Sequence, residues 1–330
     1  MKAQVIKSYG DIDVFELQEI NKPNPKSNEV LVKIYATSVN TADIKGREFG
    51  KMLDFTPDPP AVLGMDFSGV IEKTGTDVVG FSVGDKVYGC AGGVLKLQGC
   101  LAEYIAADIK LIAKKPRNLN MLEAAALPLV SITAIEGLDR ANVQKKDTVL
   151  IHGGAGGVGH IAIQYAKQAG AAVYATGRSS HKKTIEDLGA VFIDFENESI
   201  QDYVNKYTNG KGFDIIYDTV GAENLISSFQ AAKRNGQVIT TVSIVELDLS
   251  LMHIKGLSLH VVYMLMPMMY DEKREIHGRI LSNLTYLCEQ GRIRPVLDKS
   301  HFTLETAPQA QEHLDKDKTI GKVVIEITKE

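Results

Sequence analysis

The octapeptide His152-Gly-Gly-Ala-Gly-Gly-Val-Gly159 places glycines at 154, 156 and 159, the G-x-G-x-x-G spacing. In such a loop the first glycine permits a tight turn and the second lets a pyrophosphate approach the backbone. The third lets a helix pack closely on its strand. Backbone amides at that helix N-terminus, including those of Gly157 and Val158, then face the phosphates. A glycine triplet alone is weak evidence, but here the flanks agree with it. Thr148–His152 is an apolar run with strand character, and Val158, Ile161, Ala162, Tyr165, Ala166 and Ala169 recur at helical spacing until Gly170. Strand, glycine turn and helix together make the motif a dinucleotide site. A close-packed turn without nucleotide is the alternative.

The alternation continues downstream. Ala172–Thr176, Val191–Ile193, Phe213–Tyr217, Gln237–Val242 and Leu257–Val262 read as strands, with helices over Ser180–Leu188, Ile200–Tyr207 and Ala222–Lys233. Repeated β-α-β units imply a parallel sheet covered on both faces. Upstream the chain is β-rich: Val30, Val32 and Ile34 alternate within Glu29–Ser38, and Phe67–Lys73 and Lys86–Tyr88 are short apolar runs. Asn40–Pro60 reads as a long loop with at most one helical turn. Helical character begins near Met121 and covers Ser131–Arg140. From Tyr270 a helix carrying Ile276, Ile280, Leu284 and Leu287 leads to a tail that ends in a strand, Lys322–Ile327. That tail is too small for its own core and is expected to return to the first domain. The expected domains are residues 1–123 completed by 270–330, and 124–269.

The residues after the second strand of the glycine-loop unit bear on the choice of dinucleotide. An NAD site usually has an acid about 20 residues beyond the glycines. Here the strand ends Ala175-Thr176-Gly177-Arg178-Ser179-Ser180, Lys182 and Lys183 follow, and no carboxylate appears until Glu186. Arg178 suits a bidentate pair with a 2′-phosphate, which points to NADPH. A solvated helix start is the other reading of Arg178 and the lysines.

Composition narrows the class. The 330 residues, 44% hydrophobic and 24% charged, fit a globular chain of about two domains. A net charge of −4 argues against a nucleic-acid binder. The start lacks an apolar signal run, and the longest apolar stretch, Val261–Tyr270, is broken by Pro267 and too short to cross a bilayer. A cytoplasmic location is expected. Cys90, Cys100 and Cys288 are the only cysteines, too few for a four-cysteine zinc site, and they read as reduced thiols. No histidine precedes His152. His152 and His160 read as structural.

Ser38-Val-Asn-Thr-Ala-Asp43, Leu63-Gly-Met-Asp-Phe-Ser-Gly-Val70, Val83-Gly-Asp-Lys-Val87, Ala125-Ala-Leu-Pro-Leu129, the glycine loop, Asp214-Ile-Ile-Tyr-Asp-Thr-Val-Gly221 and Gly321-Lys-Val-Val324 together resemble the medium-chain dehydrogenase/reductase superfamily. Within it they are most similar to the zinc-independent, zeta-crystallin-like quinone oxidoreductases. The resemblance implies an α/β fold, with a GroES-like β-barrel catalytic domain plus a Rossmann doubly wound cofactor domain. It also implies a cleft between domains and a homodimer. The family's zinc-dependent members hold catalytic zinc at positions occupied here by Asn40, Met65 and a residue within Leu129–Ser131. Amide and thioether cannot replace thiolate and imidazole, so no metal is expected. The resemblance implies that Asn40, Thr133 and Lys322 approach the cofactor, with Thr176, Val220, Val242, Tyr263 and Leu265 also near it. Asn40 and Tyr263 are the expected catalytic residues. Structural alternatives stay open: a turn for Asn40, a helix N-cap for Thr133, a solvated strand position for Lys322. The run Met264/Met266/Met268/Met269 reads as packing or as an apolar substrate wall.

Without a Lewis acid an isolated carbonyl is poorly polarised, so the expected hydride acceptor delocalises its own charge: a quinone or an α,β-unsaturated carbonyl. Some enoyl reductases of this family use a loop tyrosine. This chain has none between Tyr35 and Tyr88, and Met52 stands near that position. Lys45, Arg47 and Lys51 read as a solvated loop face, with a binding site for a carbonyl or carboxylate as the alternative. An alcohol or carbonyl dehydrogenase and a non-catalytic NADPH-binding protein are the competing functions.

Overall fold

The computed structural model describes residues 1–316 and 319–329. The N-terminal part contains β1 (Lys2–Ile6), β2 (Phe15–Glu19), β3 (Glu29–Ser38), α1 (Thr41–Phe49), β4 (Ala61–Val62), β5 (Asp66–Thr74), β6 (Lys86–Cys90), β7 (Tyr104–Asp108) and β8 (Ile112–Lys114). Two helices follow, α2 (Met121–Ala125) and α3 (Pro128–Arg140). Next come β9 (Thr148–His152), α4 (Gly157–Gln168), β10 (Ala172–Gly177), α5 (Lys182–Asp187), β11 (Val191–Asp194), α6 (Ile200–Thr208), β12 (Phe213–Asp218), α7 (Asn224–Ala231), β13 (Ala232–Thr240), α8 (Ser250–Lys255) and β14 (Ser258–Val261). The last part holds α9 (Met266–Tyr270), α10 (Glu275–Glu289), β15 (Phe302–Thr303), α11 (Ala307–Asp315) and β16 (Val324–Glu326). Two compact units result. One joins Met1–Ile132 to the stretch from Leu265 onward, and the other is Thr133–Met264.

In the first unit β3 is the hub, pairing antiparallel with β5, β7 and β16. Its alternating Val30, Val32 and Ile34 are all fully buried. The C-terminal segment thus closes onto a strand near the start of the chain: Val324 pairs with Ser38 and Ile325 with Thr37. A core of Val5, Ile6, Val39, Ile44, Leu63, Leu304, Val323 and Ile325 packs beneath.

Asn40–Pro60 is not the loop that its charges and glycines suggest. Thr41–Phe49 forms the nine-residue α1, whose start is fixed by Asp43 Oδ2 accepting the Asn40 backbone N–H at 2.9 Å. Arg47, read as part of a solvated face, is 2% exposed. It donates through Nη1 to Gly10 O (2.6 Å) and through Nε to Gln311 Oε1 (2.9 Å). Lys45 and Lys51 do reach solvent, beside Glu48 and Asp58. On α10 the buried residues are His277, Leu281, Leu284, Leu287 and Cys288, so Leu284 and Leu287 face inward as expected while Ile276 and Ile280 are only half-buried. A buried histidine shifts the face from the one that apolar residues alone indicate.

The second unit is a six-stranded parallel sheet in the order β11-β10-β9-β12-β13-β14. Its order reverses between β9 and β12, the crevice where open α/β sheets bind ligands. Leu150, Ile193, Tyr203, Phe213, Ile216 and Val238 fill one face. Gly170 and Gly189 end their helices at φ 83° and 89°, as left-handed C-terminal residues do. Among the described residues no helix is long and apolar enough to cross a membrane.

Candidate active site

In the second unit the glycine loop joins β9 to α4. The left-handed residue is Gly153 (φ 74°), one position before the triplet that the motif credits with the turn. Gly154 is required by crowding instead, since a Cβ there would lie 2.6 Å from Ala175 Cβ. Gly159 carries α4 against the loop, and a Cβ on it would sit 2.1 Å from Gly153 O. Gly156 differs. Its added Cβ would meet only Gly153 O, at 3.2 Å. It is the N-cap of α4 with no side-chain cap, so the first amides of α4 (Gly157, Val158 and Gly159) are available to an anion. These residues fit a dinucleotide pyrophosphate.

Around this loop, Thr176 Oγ1 accepts the Gly153 N–H at 3.3 Å and lies 3.4 Å from His152 Nδ1. Burial lowers the His152 pKa, the neighbouring Asp218 opposing it, and its Nε2 is buried without a partner. Asp218, quoted in the Asp214–Gly221 stretch but given no role there, accepts the N–H groups of Val220 (3.0 Å) and Gly221 (2.8 Å), Asn224 Nδ2 (2.9 Å) and Ser228 Oγ (3.0 Å). It thereby shapes the turn that exposes Val220. Val242 is also exposed, and Tyr263 is 39% exposed. Thr133 lies inside α3, not at its cap, and its carbonyl accepts Tyr217 Oη at 2.7 Å. Arg178 Nε stands 3.7 Å from Glu196 Oε1 in a half-exposed pair. An acid does stand beside Gly177: its register partner Asp194 on β11 accepts Ser179 Oγ at 2.6 Å. Lys182 is the first residue of α5.

The first unit holds a buried polar network. Asp66, at the start of β5, is fully buried. Its Oδ2 accepts Ser38 Oγ (2.8 Å) and Asn40 Nδ2 (2.9 Å), and its Oδ1 accepts the Leu129 N–H (2.8 Å). Lys322 is 3% exposed, not a solvated strand residue. Its ammonium donates to Asn40 Oδ1 and to Val39 O (2.8 Å) and lies 3.6 Å from Asp66 Oδ2. Burial pulls the Lys322 pKa down, while Asp66 and Asp43 support the cation. Asp43 is buried beside them and its pKa is raised to about 7, chiefly by burial. Cys90 and Cys100 are buried free thiols, pushed well up by burial. Leu265 and Met268 are buried, and Met268 Sδ lies 3.9 Å from Cys90 Sγ. Met266 is exposed.

This donor set does not fit zinc. Both ends of the Asn40 carboxamide are engaged, and the nearest carboxylate already faces an ammonium. Among the described residues no three His, Cys, Asp or Glu side chains are placed to hold a metal ion.

The model of the alcohol dehydrogenase GroES-like domain matches residues 26–117, and that of the zinc-binding dehydrogenase matches 188–325. An NADPH-dependent alkenal/one oxidoreductase, chloroplastic, of Arabidopsis thaliana is 32% identical over 98% of this chain and 79% of its own. An alcohol dehydrogenase superfamily protein from Novosphingobium aromaticivorans superposes with a TM-score of 0.95 at 38% identity, covering 99% of this chain and 100% of that one. The quinone oxidoreductase of Coxiella burnetii gives 0.83 at 29%, with 99% of each chain covered. The chain belongs to the medium-chain dehydrogenase/reductase superfamily, in its quinone oxidoreductase-like branch.

Proposed function

We propose that this protein is an NADPH-dependent reductase of quinones and small α,β-unsaturated carbonyls that works without zinc. The observation that carries the reading is the Asn40 carboxamide, held by an ammonium and a carboxylate where a zinc enzyme needs metal ligands. The names of two relatives, an alkenal/one oxidoreductase and a quinone oxidoreductase, support the acceptor class. Bound NADPH supplies a hydride. Gly154, Gly156, Gly157, Val158 and Gly159 hold its pyrophosphate, and Thr176, Val220 and Val242 border it. Thr133, Tyr263 and Leu265 belong to the same proposed set. Arg178 and Lys182 take the 2′-phosphate, Arg178 standing beside Glu196 in a half-exposed pair. Asn40 and Tyr263 touch the reacting partners. A conjugated acceptor spreads the incoming charge onto oxygen, so an N–H donor suffices where an unconjugated ketone needs a Lewis acid. A homodimer belongs to the same reading, and the three buried free thiols support a reducing, cytoplasmic setting.

The test is the rate of NADPH and NADH oxidation with a quinone, a 2-enal and a saturated ketone. Quinone and enal are expected to be reduced, the ketone hardly at all, with NADPH preferred by about tenfold or more, which is roughly 1.4 kcal/mol. Asn40→Ala is expected to lower turnover on the order of a hundredfold. NADP⁺-linked oxidation of simple alcohols with inert quinones and enals would overturn the reading.

A further inference from the structure

A carboxamide is nearly the same shape when rotated by half a turn, so packing alone does not choose which end is oxygen and which is nitrogen. At Asn40 the charges choose. Oδ1 faces the Lys322 ammonium and Nδ2 faces the Asp66 carboxylate. The reverse arrangement would set N–H against ammonium and oxygen against carboxylate. We propose that Lys322 and Asp66 are positioning residues that lock the polarity of the Asn40 carboxamide and leave one of its N–H groups directed to the oxygen of the acceptor. This rests on the reductase reading above and adds to it what makes Asn40 competent.

The lock is anchored on both sides. Lys322 is tied to Val39 O, and Asp66 to Ser38 Oγ and the Leu129 N–H, so neither charge can swing away without leaving those partners. All four side chains, Ser38, Asn40, Asp66 and Lys322, are buried. Water therefore screens little of the field that orients the amide. Asn40 has two N–H donors and gives one to Asp66, which leaves the other for a ligand. Polarisation of Oδ1 by the ammonium makes that remaining N–H a stronger donor. Lys322 then acts through Asn40 and not by touching the dinucleotide, contrary to what the resemblance alone implies.

Lys322→Met separates the two roles. Fluorescence titration is expected to give a dinucleotide Kd within about threefold of the unmodified protein. The kcat for a 2-enal is expected to fall by about tenfold or more, with a smaller change in KM. In an Asn40→Ala background the same substitution is expected to cost nothing further. A tenfold weaker dinucleotide Kd, or losses that multiply in the double variant, would overturn the proposal. Since Lys322→Met leaves Asp66 buried without its cation, the pair variant Asp66→Asn/Lys322→Met is made as well. Thermal unfolding is expected to show it more stable than Lys322→Met alone. Failure of that recovery would show that the two charges do not act on one another. Should the protein reduce neither enal nor quinone, the reaction reading falls, while the Kd and the unfolding measurements still decide the lock.

Discussion

Asp43 shows how one side chain couples this network to pH. It is buried near Asp66, Lys322 and Cys90, and its carboxyl is raised to about 7, burial outweighing the Asn40 N–H and the Lys322 cation that favour its charge. In the unfolded chain it titrates at 3.8. Between those values the unfolded state has lost a proton that the folded state keeps, so Asp43 makes stability fall as pH rises from about 4 to about 7. Asp43→Asn keeps an oxygen for the Asn40 N–H and removes the titration. Its Tm is therefore expected to gain on the unmodified protein across that window and to hold the gain at pH 8. Parallel Tm profiles for the two proteins would contradict this. Asp43 and Asp66 stand in the sequence as letters of two motifs, but nothing in their spacing told that they meet. Asn40 and Lys322 were each singled out by the resemblance, but their contact, 282 positions apart, was not legible. Arg47 misled for a related reason, because a charge among glycines reads as solvated until α1 exists to bury it.

Among the elements, the parallel sheet was readable because each buried strand is a short apolar run set off by glycine or by helical spacing. Helix α1 was missed because Gly46, Gly50 and three basic residues mask its pattern. The Asn-x-x-Asp of its first turn is the signal that finds it. The glycine loop separates two requirements that one motif merges. Gly159→Ala drives a Cβ into Gly153 O and is expected to lower Tm and to weaken dinucleotide binding together. Gly156→Ala brings its Cβ to 3.2 Å from Gly153 O, a tight contact that a small shift of the loop relieves, and is expected to lower Tm far less than Gly159→Ala while binding the dinucleotide about tenfold or more weakly. Melting curves and fluorescence titrations of both variants check this; unchanged binding by Gly156→Ala would remove the loop from the cofactor site.

For the whole molecule, the mismatch between the zinc-binding dehydrogenase family and this donor set has a direct reading. Elemental analysis of the purified protein is expected to find well under one zinc per chain, and chelation is expected to leave turnover unchanged. One tightly held zinc, with activity lost on its removal, would show that the donors in place had been misjudged. The two-part organisation was legible from the change of periodicity near Met121 and from the terminal strand that needed a sheet to join. The return of that strand has a consequence in time. A ribosome delivers Asn40 and Asp66 early but Lys322 only 282 positions after Asn40. Until then the carboxamide lacks the cation that orients it, and Asp66 lacks its counter-ion. On the lock proposed above, synthesis must pass Lys322 before the Asn40 carboxamide can be oriented.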